Sequence, residues 1–321
     1  ALRLKSVESG AGRFTDFLLP PLTFHEYMAL LGLTDLVEVN ESDDSDGLKM
    51  FSTKDIQQMN KHFLNYLNYG GYPEVVFSKE IQNDPGRYVK NDIVDKVLLR
   101  DLPGLYGIQD IQELNYLFTT LAYNTANEVS LEELSKNSGV AKNTIKKYIE
   151  YLEAAFLIRI VHRIDRNAKR FKRANFFKVY LTNPSIRAAL FSPVDSGHDA
   201  MGALVETAIF AQWFHSDSKL NYARWANGEV DIVMCSAEQK ALWAVEAKWS
   251  DRFFKNPSEL KSLLSFCHAQ GLQKAMVTTQ TKTGNAIEKS IGLEFWPASL
   301  YCYALGVNIV KGKKISDIIG E

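Results

Sequence analysis

A chain of 321 residues is too long for one small core and sets an expectation of about two to three domains. With 46% hydrophobic and 23% charged residues, it lies near the average for globular chains, which excludes a disordered, collagen-like or disulfide-framework protein. The net charge of -1 conceals a strong internal asymmetry.

Residues 23–125 carry 8 Lys/Arg against 16 Asp/Glu, residues 126–190 carry 13 against 6, and residues 191–321 carry 13 against 14. The basic middle segment is the place to expect a polyanion; mutual attraction between the segments would explain the same pattern. Cys235, Cys267 and Cys302 are far apart and embedded in apolar runs, without a Cys-x-x-Cys pair. They read as reduced core residues of a cytoplasmic protein. No run approaches the ~18 apolar residues of a membrane span, and the N-terminus lacks a signal-peptide pattern. The first residue is Ala rather than Met, which suggests a fragment.

In chain order, residues 1–22 end in Phe17-Leu-Leu-Pro-Pro21, an apolar run closed by a proline pair. Thr23 and Glu26 form a capping-box pattern at the start of a helix. The acidic stretch Glu41–Gly47 reads as a solvated loop, because its spacing and the missing distal Glu do not suit calcium. A helix is predicted over 53–69, where Ile56, Met59, Phe63, Leu64 and Leu67 recur at helical spacing, and it stops at Gly70-Gly71-Tyr72-Pro73. Two further helices fit 84–104, interrupted at Pro103-Gly104, and 108–126. Residues 23–125 are therefore expected to form a helical lid or linker domain.

Residues 126–190 read as a winged helix-turn-helix. Ser130-Leu-Glu-Glu133 caps a short helix, Asn137-Ser-Gly-Val140 is a turn, and a longer helix runs from Lys142 to Ala155. Its exposed face offers Lys142, Asn143, Lys146 and Lys147, residue types that meet phosphates or base edges of DNA. Strands at 156–161 and 176–181 flank a basic loop with Arg163, Arg166, Lys169, Arg170, Lys172 and Arg173, the expected wing. Nucleic acid, most simply DNA, is the expected partner; the alternative is a winged helix used only as a platform between proteins or domains.

From residue 191 the order is one buried helix carrying Glu206, three strands, a helix and another strand. Asp231 opens the second strand, and Glu246 and Lys248 lie two apart on the third, on one face. Two carboxylates on adjacent strands suit a hard divalent cation, Mg2+ or Mn2+, with the Ala247 carbonyl and water completing the shell. Lys248 beside it would orient the attacking water and stabilise charge on a phosphate, and Glu206 could add a further carboxylate. An ordinary same-face pair between Glu246 and Lys248 is the plainer reading of those two residues alone.

With these residues in place, the C-terminal domain resembles the PD-(D/E)XK nuclease superfamily, whose motif maps onto Glu206, Asp231, Glu246 and Lys248. The whole chain resembles the C-terminal part of prokaryotic AAA-type P-loop ATPases that end in a nuclease-like domain of unknown function. The stretches that carry this are Gly12–Phe24, Gly70-Gly-Tyr-Pro-Glu-Val-Val76, Leu99-Arg-Asp-Leu102, the winged helix, Gly228-Glu-Val-Asp231 and Val245-Glu-Ala-Lys248. The resemblance implies an α/β multidomain protein. Residues 1–22 would be a remnant of an ATPase core, followed by the helical region, the winged helix and, over 191–321, an α/β nuclease-like domain with a mixed sheet. It further implies a metal-dependent deoxyribonuclease, or a catalytically inactive DNA-binding and regulatory module, and assembly through an ATPase core. Arg13 would reach a nucleotide phosphate, or be a surface arginine. No Gly-x-x-x-x-Gly-Lys-Ser/Thr occurs, so ATP belongs to a full-length relative and ATPase activity is not expected of this chain. Ala141 and Ala247 depart from the usual Ser/Thr cap and from the Val common within Glu-x-Lys.

Overall fold

The computed structural model describes residues 20–40, 50–169, 175–216 and 218–310. Thr23 caps α1 (Phe24–Leu30) through its hydroxyl on the Glu26 N–H, and the Glu26 carboxylate accepts the Thr23 N–H at 2.8 Å. This is the reciprocal box that the sequence pattern predicts. A ribbon of β1 (Val37–Asn40) and β2 (Met50–Thr53) precedes α2 (Ile56–Tyr69), whose N-terminus is capped by Asp55.

Three short helices follow: α3 (Pro73–Phe77), α4 (Lys79–Asn83) and α5 (Pro85–Tyr88). The backbone then winds as π-helix over Val89–Val94 and Val97–Asp101 and continues into α6 (Leu102–Tyr106). The interruption expected at Pro103-Gly104 does not occur. Pro103 falls in the first turn of α6, directly after a π-wound segment. There its missing N–H costs little, and the wider π turn relieves the clash with the preceding carbonyl. The helix ends instead at Gly107, which takes the left-handed conformation at φ 65°. After it comes α7 (Ile111–Tyr123).

The middle segment holds β3 (Glu128–Ser130), α8 (Leu131–Ser138), α9 (Lys142–Ala154), the antiparallel pair β4 (Ile158–Ile164) and β5 (Phe176–Leu181), and α10 (Ser185–Leu190). Ser130 caps α8, whereas Ala141 leaves α9 without a side-chain cap. The remainder is α11 (Met201–Trp213), β6 (Leu220–Trp225), β7 (Gly228–Cys235), β8 (Ala241–Glu246), α12 (Arg252–Lys255) and α13 (Lys261–Gln270). It closes with β9 (Lys274–Thr279), β10 (Gly284–Glu288), β11 (Ile291–Pro297) and α14 (Ala298–Val310).

Among the described residues, nine strands form one mixed sheet in the order β10-β11-β9-β8-β7-β6-β4-β5-β3. The fold is therefore mixed α/β with many helices. The sheet crosses the boundary expected near residue 190: β4 pairs in parallel with β6, His162 opposite Asn221 and Ile164 opposite Ala223. The hairpin of the middle segment and the strands of the C-terminal segment share one hydrogen-bonded layer.

The cores divide the helical region too. Phe24, Met28, Phe63, Tyr66 and Leu67 of α1 and α2 pack with α11 and α14. Val89, Leu98, Leu117, Phe118 and Leu121 pack instead with α8, α9 and the hairpin. A third core joins α13 to the far face of the sheet, with Phe266, Val233, Ala244 and Phe295. No described helix is long and apolar enough to cross a membrane. Cys267 and Cys302 are buried and Cys235 partly so, all as free thiols.

Candidate functional site

Strand chemistry places the acids. Pairing of β7 with β8 begins at Ile232–Val245, so Asp231 and Glu246 lie just beyond the last paired rung, where the two strands part. On its other side β7 carries an irregularity. Ala223 pairs with Val230 and Asn221 with Val233, which leaves Asp231 and Ile232 together opposite Tyr222. A bulge of this kind re-aims side chains beside a functional site. Val230 and Val233 enter the core under α13, while Ile232 joins the core under α11 and Asp231 reaches a cluster of charges.

The cluster brings together all four residues of the sequence-derived motif. Lys248 Nζ lies 2.8 Å from Glu246 Oε1 and 3.3 Å from Asp231 Oδ2. The same Asp231 oxygen accepts the Ala247 N–H at 2.9 Å, so it is the amide of Ala247 that the structure ties to the site. Thr278 Oγ1 accepts the Lys248 N–H at 2.6 Å and donates to the Lys248 carbonyl at 2.8 Å, which fixes the backbone behind the lysine. Glu206, buried on a helix that is apolar almost all round, enters from the other side.

The group that links Glu206 to Asp231 does not stand out in the sequence. Lys178 of β5 is 2% exposed, and its ammonium lies 2.8 Å from Glu206 Oε1, 2.7 Å from Glu229 Oε1 and 3.7 Å from Asp231 Oδ1. Tyr180, two residues along the same strand face, donates its hydroxyl to Glu206 Oε1 at 2.5 Å. The ladder continues across the sheet. Arg224 pairs with Glu229 at 2.8 Å and with Glu128 at 3.6 Å, Tyr222 donates to Glu128 at 2.6 Å, and Arg163 lies 3.6 Å from Glu128. In sequence Lys178 is one more base in a basic run. Its burial, though not its role, was signalled by the near-continuous apolar run of Phe176, Phe177, Val179, Tyr180 and Leu181 around it, which marks a strand buried on both faces. Glu229 was legible as the residue two before Asp231, on the same strand face.

Four carboxylates, Glu206, Glu229, Asp231 and Glu246, thus surround two lysines. The crowding shows in their acidity. Burial and the charge of Asp231 push Glu246 up to about 7 despite Lys248. Burial also pushes Glu206 up to about 7, against the pull of Lys178. Burial works on Asp231 as well, but Lys248, Lys178 and the Ala247 N–H outweigh it and hold Asp231 below the usual carboxylate range. Burial opposes the charge on Lys248, yet Glu246 and Asp231 keep its pKa above the ordinary lysine value, so it is an ammonium.

This donor set suits Mg2+ or Mn2+ in part. Glu246 Oε2 is buried with no hydrogen-bond partner, and a hard cation takes one or two carboxylates and completes its shell with water. Asp231 and Glu246 are the residues that would hold it. Among the described residues no three acids, histidines or cysteines converge closely enough to form a ready cage. Glu206 is engaged by Lys178 and Tyr180 rather than turned toward Glu246.

Among the described residues, those expected to meet DNA divide into three groups. Asn143, Lys146 and Lys147 are exposed along α9, and Lys142 is exposed but paired with Glu132 at 2.8 Å. Arg163 does not offer a free guanidinium: its Nε donates to the Arg224 carbonyl at 3.2 Å, and it lies over the Phe176 ring and beside Glu128. It belongs to the charge ladder because the β4 residue beside it, His162, is where pairing with β6 starts. Arg166 and Lys169 are exposed where the β4–β5 hairpin turns, and this end is docked. Ala168 is buried in the core under α13, Arg166 Nη2 donates to the Ser265 carbonyl at 3.4 Å, and Gln270 Nε2 donates to the Arg166 carbonyl at 2.9 Å. Arg13, Arg170, Lys172 and Arg173 lie outside the described residues, as does the acidic loop Glu41–Gly47.

A family model for a domain of unknown function (DUF8612) matches residues 60–196. That span holds Lys178 and ends before Glu206, Asp231, Glu246 and Lys248. The chain is similar to an uncharacterized protein of Methanocaldococcus jannaschii, 22% identical over 195 residues, covering 58% of this chain and 42% of the relative. It is also similar to an uncharacterized protein of Haemophilus influenzae, 20% identical over 234 residues, covering 71% of this chain and 52% of the relative. The chain spans about half the length of these curated relatives. No solved structure matches it significantly.

Proposed function

We propose that this chain is the DNA-binding, nuclease-like part of an AAA-type P-loop ATPase relative, and that its site hydrolyses phosphodiester bonds in DNA with a divalent metal. In this reading α8, α9, β4 and β5 form a winged helix, and α11 with β6 to β9 and α13 forms a PD-(D/E)XK-like domain. The carrying observation is the convergence of Asp231, Glu246 and Lys248 at the point where β7 and β8 part, with Glu206 joined to them through Lys178. Function resides in such a site rather than in the fold.

Asp231 and Glu246 would hold Mg2+, which when bound supplies a Lewis acid and an acidified water. The Lys248 backbone is fixed by Thr278, and its ammonium, held by Glu246 and Asp231, carries its proton, so it stabilises negative charge on the phosphate and orients water rather than taking a proton from it. Asn143, Lys146 and Lys147 on α9 present the surface that would grip the duplex. ATP-driven assembly and a cytoplasmic setting belong to the same reading, through the ATPase core of the full-length relatives.

The test is cleavage of labelled single- and double-stranded DNA in Mg2+, Mn2+ or EDTA. Wild type is expected to cut only with metal, and Lys248→Ala and Glu246→Gln to lose at least ~100-fold in rate. A second reading, a DNA-binding module without catalysis, is favoured by one observation: Lys178 already lies within ion-pair distance of three of the four acids. Salt-sensitive binding without cutting in wild type and both variants would establish that reading instead.

A further inference from the structure

We propose that Lys178 is a built-in cation that fills the place of a second divalent ion, so that the site takes at most one metal, at Asp231 and Glu246. The inference shares its carboxylates with the proposed nuclease and says how that site is charged; it does not require that the site cut DNA. Three observations carry it. The ammonium lies within ion-pair distance of carboxylates from two elements, Glu206 of α11 and Glu229 and Asp231 of β7. Asp231 is shared: its Oδ1 faces Lys178 and its Oδ2 faces Lys248, as a carboxylate bridges two cations. The acceptor left for further positive charge is on the other side, at the buried and unpartnered Glu246 Oε2, whose residue is 9% exposed.

The distances fit an ammonium and not a metal ion. Nitrogen-to-oxygen separations of 2.7, 2.8 and 3.7 Å hold the three acids further apart than the about 2.1 Å contacts of Mg2+ would. The chain delivering this cation is also unexpected. Lys178 stands on β5, which belongs to the hairpin of the middle segment, and reaches the acids because β4 and β6 join the two segments in one sheet. Tyr180 on the same strand and the Tyr222 ring, 5.4 Å from the ammonium, complete its seat. The charge state of the metal site is thereby set by an element of the neighbouring module.

The experiment counts Mn2+ ions bound to the full chain, by calorimetry and by the loss of the free-ion resonance signal. Wild type is expected to bind at most one ion. Lys178→Met, which keeps an unbranched side chain one atom shorter and removes its charge, is expected to bind one more than wild type. Lys178→Arg should return the wild-type number, and Lys178→Met with Glu206→Gln should lose the added ion. An unchanged ion count in Lys178→Met overturns the inference. If that variant is unfolded in EDTA, Mn2+ must refold it, as read by circular dichroism; indifference to Mn2+ overturns the inference as well. Glu246→Gln separates this idea from the nuclease reading. It should remove the wild-type ion while leaving the ion gained by Lys178→Met, whereas a wild type that binds none and a Lys178→Met that binds one would refute the metal-dependent nuclease and leave Lys178 as assigned.

Discussion

Lys178 and Lys146 are both bases of the same positively charged segment, and the fold uses them in opposite ways. Lys178 is sealed between three carboxylates, a phenol and an aromatic ring, so its charge is compensated within a few ångströms. Lys146 stands exposed on α9 with Lys147 beside it, free to meet a polyanion in water. A buried charge is costly to leave unpaired and barely feels salt, whereas an exposed one contributes little to folding and is governed by ionic strength. The net charge of a segment therefore does not say which of its bases binds anything; burial does.

The largest expected effect breaks the buried half of this comparison. In EDTA, Lys178→Met leaves Glu206, Glu229 and Asp231 without their common cation and should cost ~3–5 kcal/mol in urea unfolding. Lys178→Arg should recover most of it. A loss under ~1 kcal/mol would mean that Glu206, already pushed up to about 7, simply takes a proton in place of the missing ammonium.

How much of this was legible beforehand depends on the kind of signal. Glu206, Asp231, Glu246 and Lys248 could be picked out by element order and by the Glu-x-Lys spacing, although Lys248 follows the end of β8 and Asp231 sits at a bulge that breaks the alternation. The Thr23 and Ser130 caps could be read because capping is local. Lys178 could not, since its role exists only after β5 is drawn beside α11 by a parallel pairing of β4 with β6, and nothing in a sequence marks which distant strands pair. The bulge that sets Asp231 beside Ile232 was hidden for a related reason: it is a mismatch between two strands and belongs to neither. Pro103 misled because the π-wound turn before it, which lets the helix pass, is absent from propensity rules.

A smaller effect sharpens the account of the acids. Glu246 and Glu206 are each raised to about 7 in the folded chain, above the ordinary value of 4.5. Such groups hold their protons more tightly folded than unfolded. Their stabilisation is complete below pH 4.5 and is lost as pH rises to about 7. Asp231 works in the opposite sense: held below its usual 3.8, its contribution is lost only as pH falls beneath that value. Metal-free wild type should thus lose ~1–3 kcal/mol more than Glu246→Gln between pH 4.5 and 7. Equal slopes in the two proteins would show that Glu246 is ionised throughout and that its unpartnered oxygen is better solvated than the structure implies.

The smallest effect on folding belongs to the exposed half, where the readout has to be binding. Replacing Lys146 and Lys147 by Ala removes two charges that no core residue depends on, so the thermal midpoint should stay within ~1 °C of wild type. If α9 lies against a duplex, the same change should weaken binding to every sequence alike. It should also make the dependence of log affinity on log salt shallower by ~1.8, about 0.9 for each phosphate that is no longer neutralised. An unchanged slope would move DNA, if it binds, to another surface. The docked end of the hairpin, where Arg166 and Lys169 remain exposed beside α13, would be the next to change. A duplex bound there would rest against the C-terminal segment instead of α9. The helix face and the hairpin end can be separated by comparing the slopes of the two double variants at one salt series.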